Sequence, residues 1–162
     1  MTAEESFINA YNQYADAIFR YCYYRVFDRE RALELSQETF MKTWRAIADG
    51  KKIEKIRPFL YTTARNLIID LSRKKQEQSL DKMMDQGFDP GDDKSDQLQS
   101  RLDADMVLEK LRQLDPEQRE LIILRFVNEL QPKEIAAILD LSANVVSVRL
   151  HRAVKCLKKL VR

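Results

Sequence analysis

Apolar residues recur along most of the chain at intervals of three and four, the period of a helix with one face against a core. Phe7, Tyr11, Tyr14, Ile18, Cys22 and Val26 mark a stretch from about Ala3 to Phe27, which would accommodate one helix or two. Ala32, Leu35, Thr39, Phe40 and Ile47 mark a second, Arg29–Ala48. After a break at Asp49-Gly50, residues 57–75 carry Leu60, Ala64, Leu67, Ile68 and Leu71. The first half thus predicts up to four helical segments whose stripes close into a bundle. In the second half a helix from about Asp103 to Gln113 carries Met106, Val107 and Leu111. Asp115-Pro116-Glu117-Gln118 then reads as a helix start, with an N-cap Asp, Pro at the first helical position and Gln at the capping-box position. That helix extends to about Val127 through Leu121, Ile122, Leu124 and Phe126. Pro132 opens another, Ser142 caps the last, and Leu141 and Val146 stand where a hydrophobic staple would fix the entry angle.

Residues 76–101, QEQSLDKMMDQGFDPGDDKSDQLQSR, break this pattern. Gly87, Pro90 and Gly91 sit among Asp, Gln and Ser with few aliphatics, the composition of a flexible connector. The expected fold is all-α. Two small helical domains, residues 1–75 and 102–162, are joined by a flexible acidic linker, residues 76–101.

The last thirty residues carry the sharpest pattern. Pro132–Leu139, the turn Asp140-Leu141-Ser142 and Ala143–Leu160 form a helix-turn-helix in which the first helix braces and the second reaches base edges. At about 100° per residue, Val146, Leu150, Ala153, Leu157 and Leu160 share one arc of the second helix. Asn144, Val148, His151, Lys155 and Lys158 lie opposite, with Ser147, Arg152 and Lys159 on the shoulders. From Ser142 onward there are six Lys or Arg and no acid. Asn144, Ser147, His151 and Arg152 have groups that pair with bases. Arg149, Lys155, Lys158 and Lys159 suit phosphates, which set register and affinity but carry no sequence information.

Charge distribution adds a second module. Net charge is only +2 over 162 residues, too small to name a partner. Yet residues 51–75 hold Lys51, Lys52, Lys55, Arg57, Arg65, Arg73, Lys74 and Lys75 against Glu54 and Asp70, while residues 77–105 are predominantly acidic. Two basic blocks around an acidic spacer point to two nucleic-acid-facing modules. In the first, RPFLYTTARNLIIDLSRKK interleaves aromatics with Arg and Asn, the mixture that a melted strand needs: ring faces for unstacked bases and cations for the backbone. Phe59 and Tyr61 would serve equally as core residues.

Composition excludes other classes. Three Gly and four Pro leave few helix breakers, and 44% hydrophobic residues suffice for a core. Two distant cysteines, Cys22 and Cys156, and one His supply neither a disulfide framework nor a metal ligand set. No Gly-rich phosphate loop or paired carboxylates mark an enzyme. The N-terminus lacks a signal peptide's basic start and apolar run, and no stretch is long enough to span a bilayer, so a cytoplasmic protein is expected.

With ELSQETFMKTW (Glu34–Trp44), RPFLYTTARNLIIDLSRKK and LDPEQRELIILRFVNELQPKEIAAILDLSANVVSVRLHRA in this order, the chain resembles the bacterial extracytoplasmic-function sigma factors, the minimal members of the sigma-70 superfamily. The resemblance covers nearly the whole chain. It implies a non-enzymatic RNA polymerase subunit that directs promoter-specific initiation and uses no cofactor. Glu34, Leu35, Gln37, Glu38 and Phe40 match the segment that docks on the polymerase β′ clamp helices. The loop Asp49–Ile56, with Lys51 and Lys52, and the helix bearing Arg57, Phe59, Tyr61, Arg65 and Asn66 match the part that melts the minus-ten element and holds an extruded base. Asn144, Ser147, Val148, Arg149, His151, Arg152 and Lys155 match the reader of the minus-thirty-five element.

The linker resembles a segment that threads toward the RNA exit path and the active-site cleft. The implied partners are core polymerase, through its β′ clamp helices and β flap, promoter DNA and an anti-sigma factor. The chain departs from the family at Glu34 (often Asp), Phe59 (often Trp), Asp140 (often Gly), Val145 (often Thr) and Ser147 (often basic). The alternative, a one-component helix-turn-helix regulator, accounts for the C-terminal half but not for the aromatic-basic helix.

Overall fold

The computed structural model describes residues 2–82 and 102–161, and their side chains over residues 2–77 and 106–161; every regular element among them is helical. The first stretch is one helix, α1 (Ala3–Val26). Thr2 and Glu5 form a reciprocal capping box at its start. It stops at Phe27, which takes the left-handed conformation at φ 60° and sends its N–H to Tyr23 O at 2.8 Å. That conformation strains a bulky residue. Packing offsets the strain: the Phe27 ring lies 4.7 Å from the guanidinium of Arg112 and 5.2 Å from that of Arg119. Asp28 then caps α2 (Arg29–Ala48) by accepting from Arg31 N–H at 3.2 Å, so the chain reverses within two residues.

Helix α2 buries the hydroxyls of Thr39 and Thr43 without orphaning them. Thr39 Oγ1 donates to Leu35 O at 2.7 Å and Thr43 Oγ1 to Thr39 O at 2.8 Å. After Gly50 (φ 88°) the chain enters α3 (Ile56–Lys82). This helix runs on through residues 76–82, which the composition assigned to the linker. Gln76–Lys82 are mostly good helix formers, and the first glycine comes only at Gly87, so nothing local stops the helix at Lys75. The remainder of the predicted connector, residues 83–101, lies outside the described residues.

In the second half, α4 (Leu102–Gln113) leads to α5 (Pro116–Ile122), capped by Asp115 as its sequence predicts, with Gln118 N–H donating to Asp115 Oδ1 at 2.9 Å. The helix continues to Val127, but over Ile123–Val127 its turns widen to π geometry, and Asn128 N–H reaches back to Ile123 O at 2.9 Å. Pro132 opens α6 (Pro132–Leu139). Asp140 takes the left-handed conformation that the short turn requires, φ 55°, and Ser142 caps α7 (Ala143–Val161) by accepting from Val145 N–H at 3.1 Å. Leu141 and Val146, the staple pair, both pack into the core.

Helices α1–α3 pack on one another, as do α4–α7, while α1 also meets the π segment and α3 meets α6. One continuous core passes through both groups, from Ile18, Tyr21, Leu60 and Tyr61 to Leu124, Leu130, Ile135 and Val146. Among the described residues no helix is long and apolar enough to cross a membrane.

Candidate nucleic-acid interface

Helix α7 divides as its periodicity predicts. Val146, Leu150 and Ala153 are buried, and Asn144, Ser147, Val148, Arg149, His151, Arg152 and Lys155 all stand exposed on the other side. Helix α6 braces it by packing against it, and the start of α6 is fixed by Gln131 N–H donating to Glu134 Oε1 at 3.2 Å. The exposed face combines amide, hydroxyl, imidazole and guanidinium groups around one apolar side chain, Val148, which is 45% exposed. Donors, acceptors and a methyl-bearing surface on one helix face suit a major groove, where each base pair shows a distinct pattern of the same kinds of group.

Helix α3 carries two stripes with different fates. Lys51 and Lys52 are exposed in the loop before it, and Lys51 Nζ lies 5.1 Å from the Phe59 ring centre. Phe59 is half-buried, with Asn66 exposed two turns further on along the same stripe. The second stripe, Arg57, Tyr61 and Arg65, turns to the C-terminal helices. Tyr61 is only 1% exposed and sits edge-on to Tyr21, ring centres 5.5 Å apart at 75°. Of the two roles open to it from sequence, it fills the core one in this arrangement. Burial above all pushes its phenol up to about 12; its hydroxyl lies by the Asn128 side chain, and among the described residues neither Tyr61 Oη nor Asn128 Oδ1 makes a hydrogen bond of good geometry.

The seam between the two helical groups centres on one acid. Glu120 is 5% exposed, and its Oε2 accepts from Arg25 Nη1 at 2.6 Å, Arg65 Nε at 2.8 Å and Tyr21 Oη at 3.0 Å. Arg25 Nη1 also donates to Tyr21 Oη at 2.9 Å. Burial above all lifts the Tyr21 phenol far above its ordinary range. Further along, Arg57 Nη1 meets Glu134 Oε2 at 3.2 Å, and its Nη2 donates to Asn128 O at 3.4 Å. Asn128 Nδ2 in turn donates to Ala17 O of α1 at 2.8 Å.

On α2, Glu34 and Gln37 are exposed and Glu38 is half-buried, whereas Leu35 and Phe40 turn inward and hold the helix to the core. Gln37 and the edge of Phe40 also line a groove of about 720 Å³ between α1 and α2, walled by Phe7, Ile8, Tyr11, Met41 and Trp44. Sequence reasoning missed most of this groove, because Phe7 and Tyr11 fit the core-facing period equally well. It also missed Tyr21, Arg25, Glu120 and Asn128. The signal for Glu120 was present: it is an acid leading directly into the apolar run Leu121–Leu124, at the onset of a buried helix.

Two family models match the chain, "Sigma-70 region 2" over residues 10–78 and "Sigma-70, region 4" over residues 104–157. RNA polymerase sigma factor YlaC of Bacillus subtilis is 31% identical, over 98% of this chain and 94% of its own. The chain belongs to the extracytoplasmic-function sigma factors of the sigma-70 family. This sigma factor is also 32% identical to ECF RNA polymerase sigma factor BldN of Streptomyces coelicolor over 97% of its length, though it spans only 61% of that relative. Its fold matches that of the sigma factor RpoE solved with the anti-sigma factor NepR from Bartonella quintana, with TM-score 0.77 and 22% identity over 97% of each chain. The region 2 match covers the half of the sigma factor that a lone helix-turn-helix regulator would leave without a purpose.

Proposed function

We propose that this sigma factor docks on core RNA polymerase through α2, opens the minus-ten element with the Asp49–Ile56 loop and α3, and reads the minus-thirty-five element with α7. Residues 1–75 and 102–162 form the two working domains, joined through residues 76–101. The observation that carries the reading is the pairing, in one family member, of an unobstructed recognition face on α7 with an aromatic-basic stripe on α3. Asn144, Ser147, His151 and Arg152 reach bases, while Arg149 and Lys155 hold phosphates. Phe59, with Lys51 over its ring, and Asn66 receive an unstacked base. Unstacking costs roughly a few kcal/mol per base, which anchorage at the other two sites offsets.

Polymerase docking uses the outer face of α2, where Glu34, Gln37 and Glu38 flank the apolar groove at Met41 and Trp44. Large aromatic and Met side chains in a cleft rimmed by polar groups are the usual make-up of a protein-binding surface. Partners follow from the family: core polymerase, promoter DNA and an anti-sigma factor, as the solved relative's pairing with NepR illustrates. The direct test combines the purified chain with core polymerase and a library of promoter fragments carrying fluorescent base analogues. Co-elution with core and sequence-selective unstacking upstream of the start site are expected. Failure to join core, or tight binding of a palindromic duplex without it, would overturn the reading.

A further inference from the structure

The chain holds a single histidine, and it stands on the exposed face of α7. His151 lies opposite the buried Val146, Leu150 and Ala153 and makes no hydrogen bond or ion pair among the described residues. Ser147 and Val148 precede it by one helical turn, Lys155 follows by one, and Arg152 is its chain neighbour. From Ser142 onward there is no carboxylate. Helices α4, α5 and α6 pack against α7. Of their described acids, Glu120 is buried with Arg25 and Arg65, Glu134 pairs with Arg57, and Asp115 caps α5. Glu109, Glu117 and Asp140 are exposed and form no ion pair with the imidazole. The cations of those helices are Lys110, Arg112, Arg119 and Lys133, and Arg112 and Arg119 lie against the Phe27 ring.

Seating α7 in a groove moves this imidazole from a solvated helix face without carboxylates to a site walled by phosphates. A nearby anion favours the charged ring, so the bound state holds a proton more firmly than the free one. Protonation also changes what the ring can recognise. Neutral imidazole offers one donor and one acceptor, whereas the charged ring offers two donors. In the major groove guanine shows two acceptors, N7 and O6, while adenine sets a donor beside its acceptor and cytosine shows a donor. We propose that His151 is a proton-coupled specificity residue: binding of the upstream duplex takes up one proton from solvent on its imidazole, and the charged ring selects guanine at the base it faces. The inference rests on reading α7 as the duplex-binding helix. Its sign follows from linkage. The extra affinity is present on the acid side and is lost as pH rises through the imidazole range. Lysine and arginine stay charged throughout that range, so the other basic groups of α7 add no slope.

The test uses the full chain as wild type, His151→Gln and His151→Lys, with a fluorescein-labelled pool of duplexes carrying a random core, at constant salt. Both replacements are good helix formers at an exposed position, so helicity should be unchanged. Glutamine keeps a donor and an acceptor, like the neutral ring, and lysine donates only, like the charged one. On duplexes enriched from the pool, wild type should bind about fivefold more tightly at pH 6 than at pH 8. Both variants should give flat profiles, glutamine at the weaker level and lysine at the tighter. The α-amino group also titrates in this range but is common to all three proteins. Sequencing the retained duplexes should show one position where wild type enriches guanine at pH 6 and not at pH 8. His151→Lys should enrich it at both values and His151→Gln at neither. A flat wild-type profile overturns the inference, as does a slope that His151→Gln shares or a slope without a shift in base preference. Selective binding that ignores pH sinks this inference alone, whereas no selective duplex binding by any of the three proteins sinks the reading of α7 together with it.

Discussion

At the scale of single residues, Val148 is the clearest case of a side chain whose exposure needs an explanation. A half-exposed valine amid Asn144, Ser147, His151 and Arg152 gains nothing from packing, but it matches the 5-methyl group of thymine, the one apolar feature of the major groove. Replacing each upstream thymine by deoxyuridine should weaken binding at one position, by about 1 kcal/mol, for the wild type but not for Val148→Ala. Equal sensitivity of both proteins at every position would remove Val148 from the reading surface. Buried residues make a second prediction. Burial lifts both the Cys22 thiol and the Tyr61 phenol to about 12, against ordinary values of 9.0 and 10.0. The folded chain holds these protons where the unfolded chain releases them. Their stabilisation is complete below pH 9 and is lost as pH climbs toward 12, by about 1.4 kcal/mol per pH unit for each proton held. Urea titrations between pH 8 and 11 should show the fall, and Cys22→Ala should flatten its first part. Cys22 falls on the core-facing stripe that the sequence predicts; Tyr61 reads two ways. Tyr61 has the spacing of a core residue and the company of a base-stacking one, and only the fold decides between them.

Individual elements were legible wherever a cap and a period agreed. Asp115, Pro132 and Ser142 each start a helix where the pattern placed it, and α2 spans the predicted residues Arg29–Ala48. Two elements departed for physical reasons. Helix α3 overran its predicted end because a composition shift is not a stop signal. The stretch Ile123–Val127 became π-helical, which no apolar spacing could reveal since the apolar side is the same for both geometries. The widened turn ends at Asn128, whose side chain bonds to α1, so the distortion serves a contact distant in sequence. The capping argument yields a test. Ser142→Ala removes the acceptor for Val145 N–H and should cost about 1 kcal/mol, lowering the melting temperature by roughly 2–4 °C for a chain of this size. Ser142→Asp should restore it. A variant as stable as wild type would mean that Leu141 and Val146 alone set the entry of α7.

For the whole molecule, the informative fact is that the two proposed DNA grips belong to different helical groups and act on different steps. Recognition through α7 concerns an intact duplex, whereas Phe59 and Asn66 engage bases only after they leave the stack. Arg152→Ala should therefore reduce discrimination among upstream sequences by roughly 1–3 kcal/mol if it reads a base, and reduce all sequences equally if it meets a phosphate. Asn66→Ala should leave recruitment of the polymerase complex to duplex promoters nearly intact but slow the fluorescence change that accompanies base unstacking. Since neither side chain shares a partner with the other, their effects on open-complex formation should add to within about 0.5 kcal/mol in the double variant. A larger departure would have a definite origin. It would mean that gripping the upstream element itself changes the geometry at α3, by way of the buried Glu120–Arg65 pair that joins the two helical groups. In that case the coupling should shrink in the Glu120→Gln background, where that charge pair is absent.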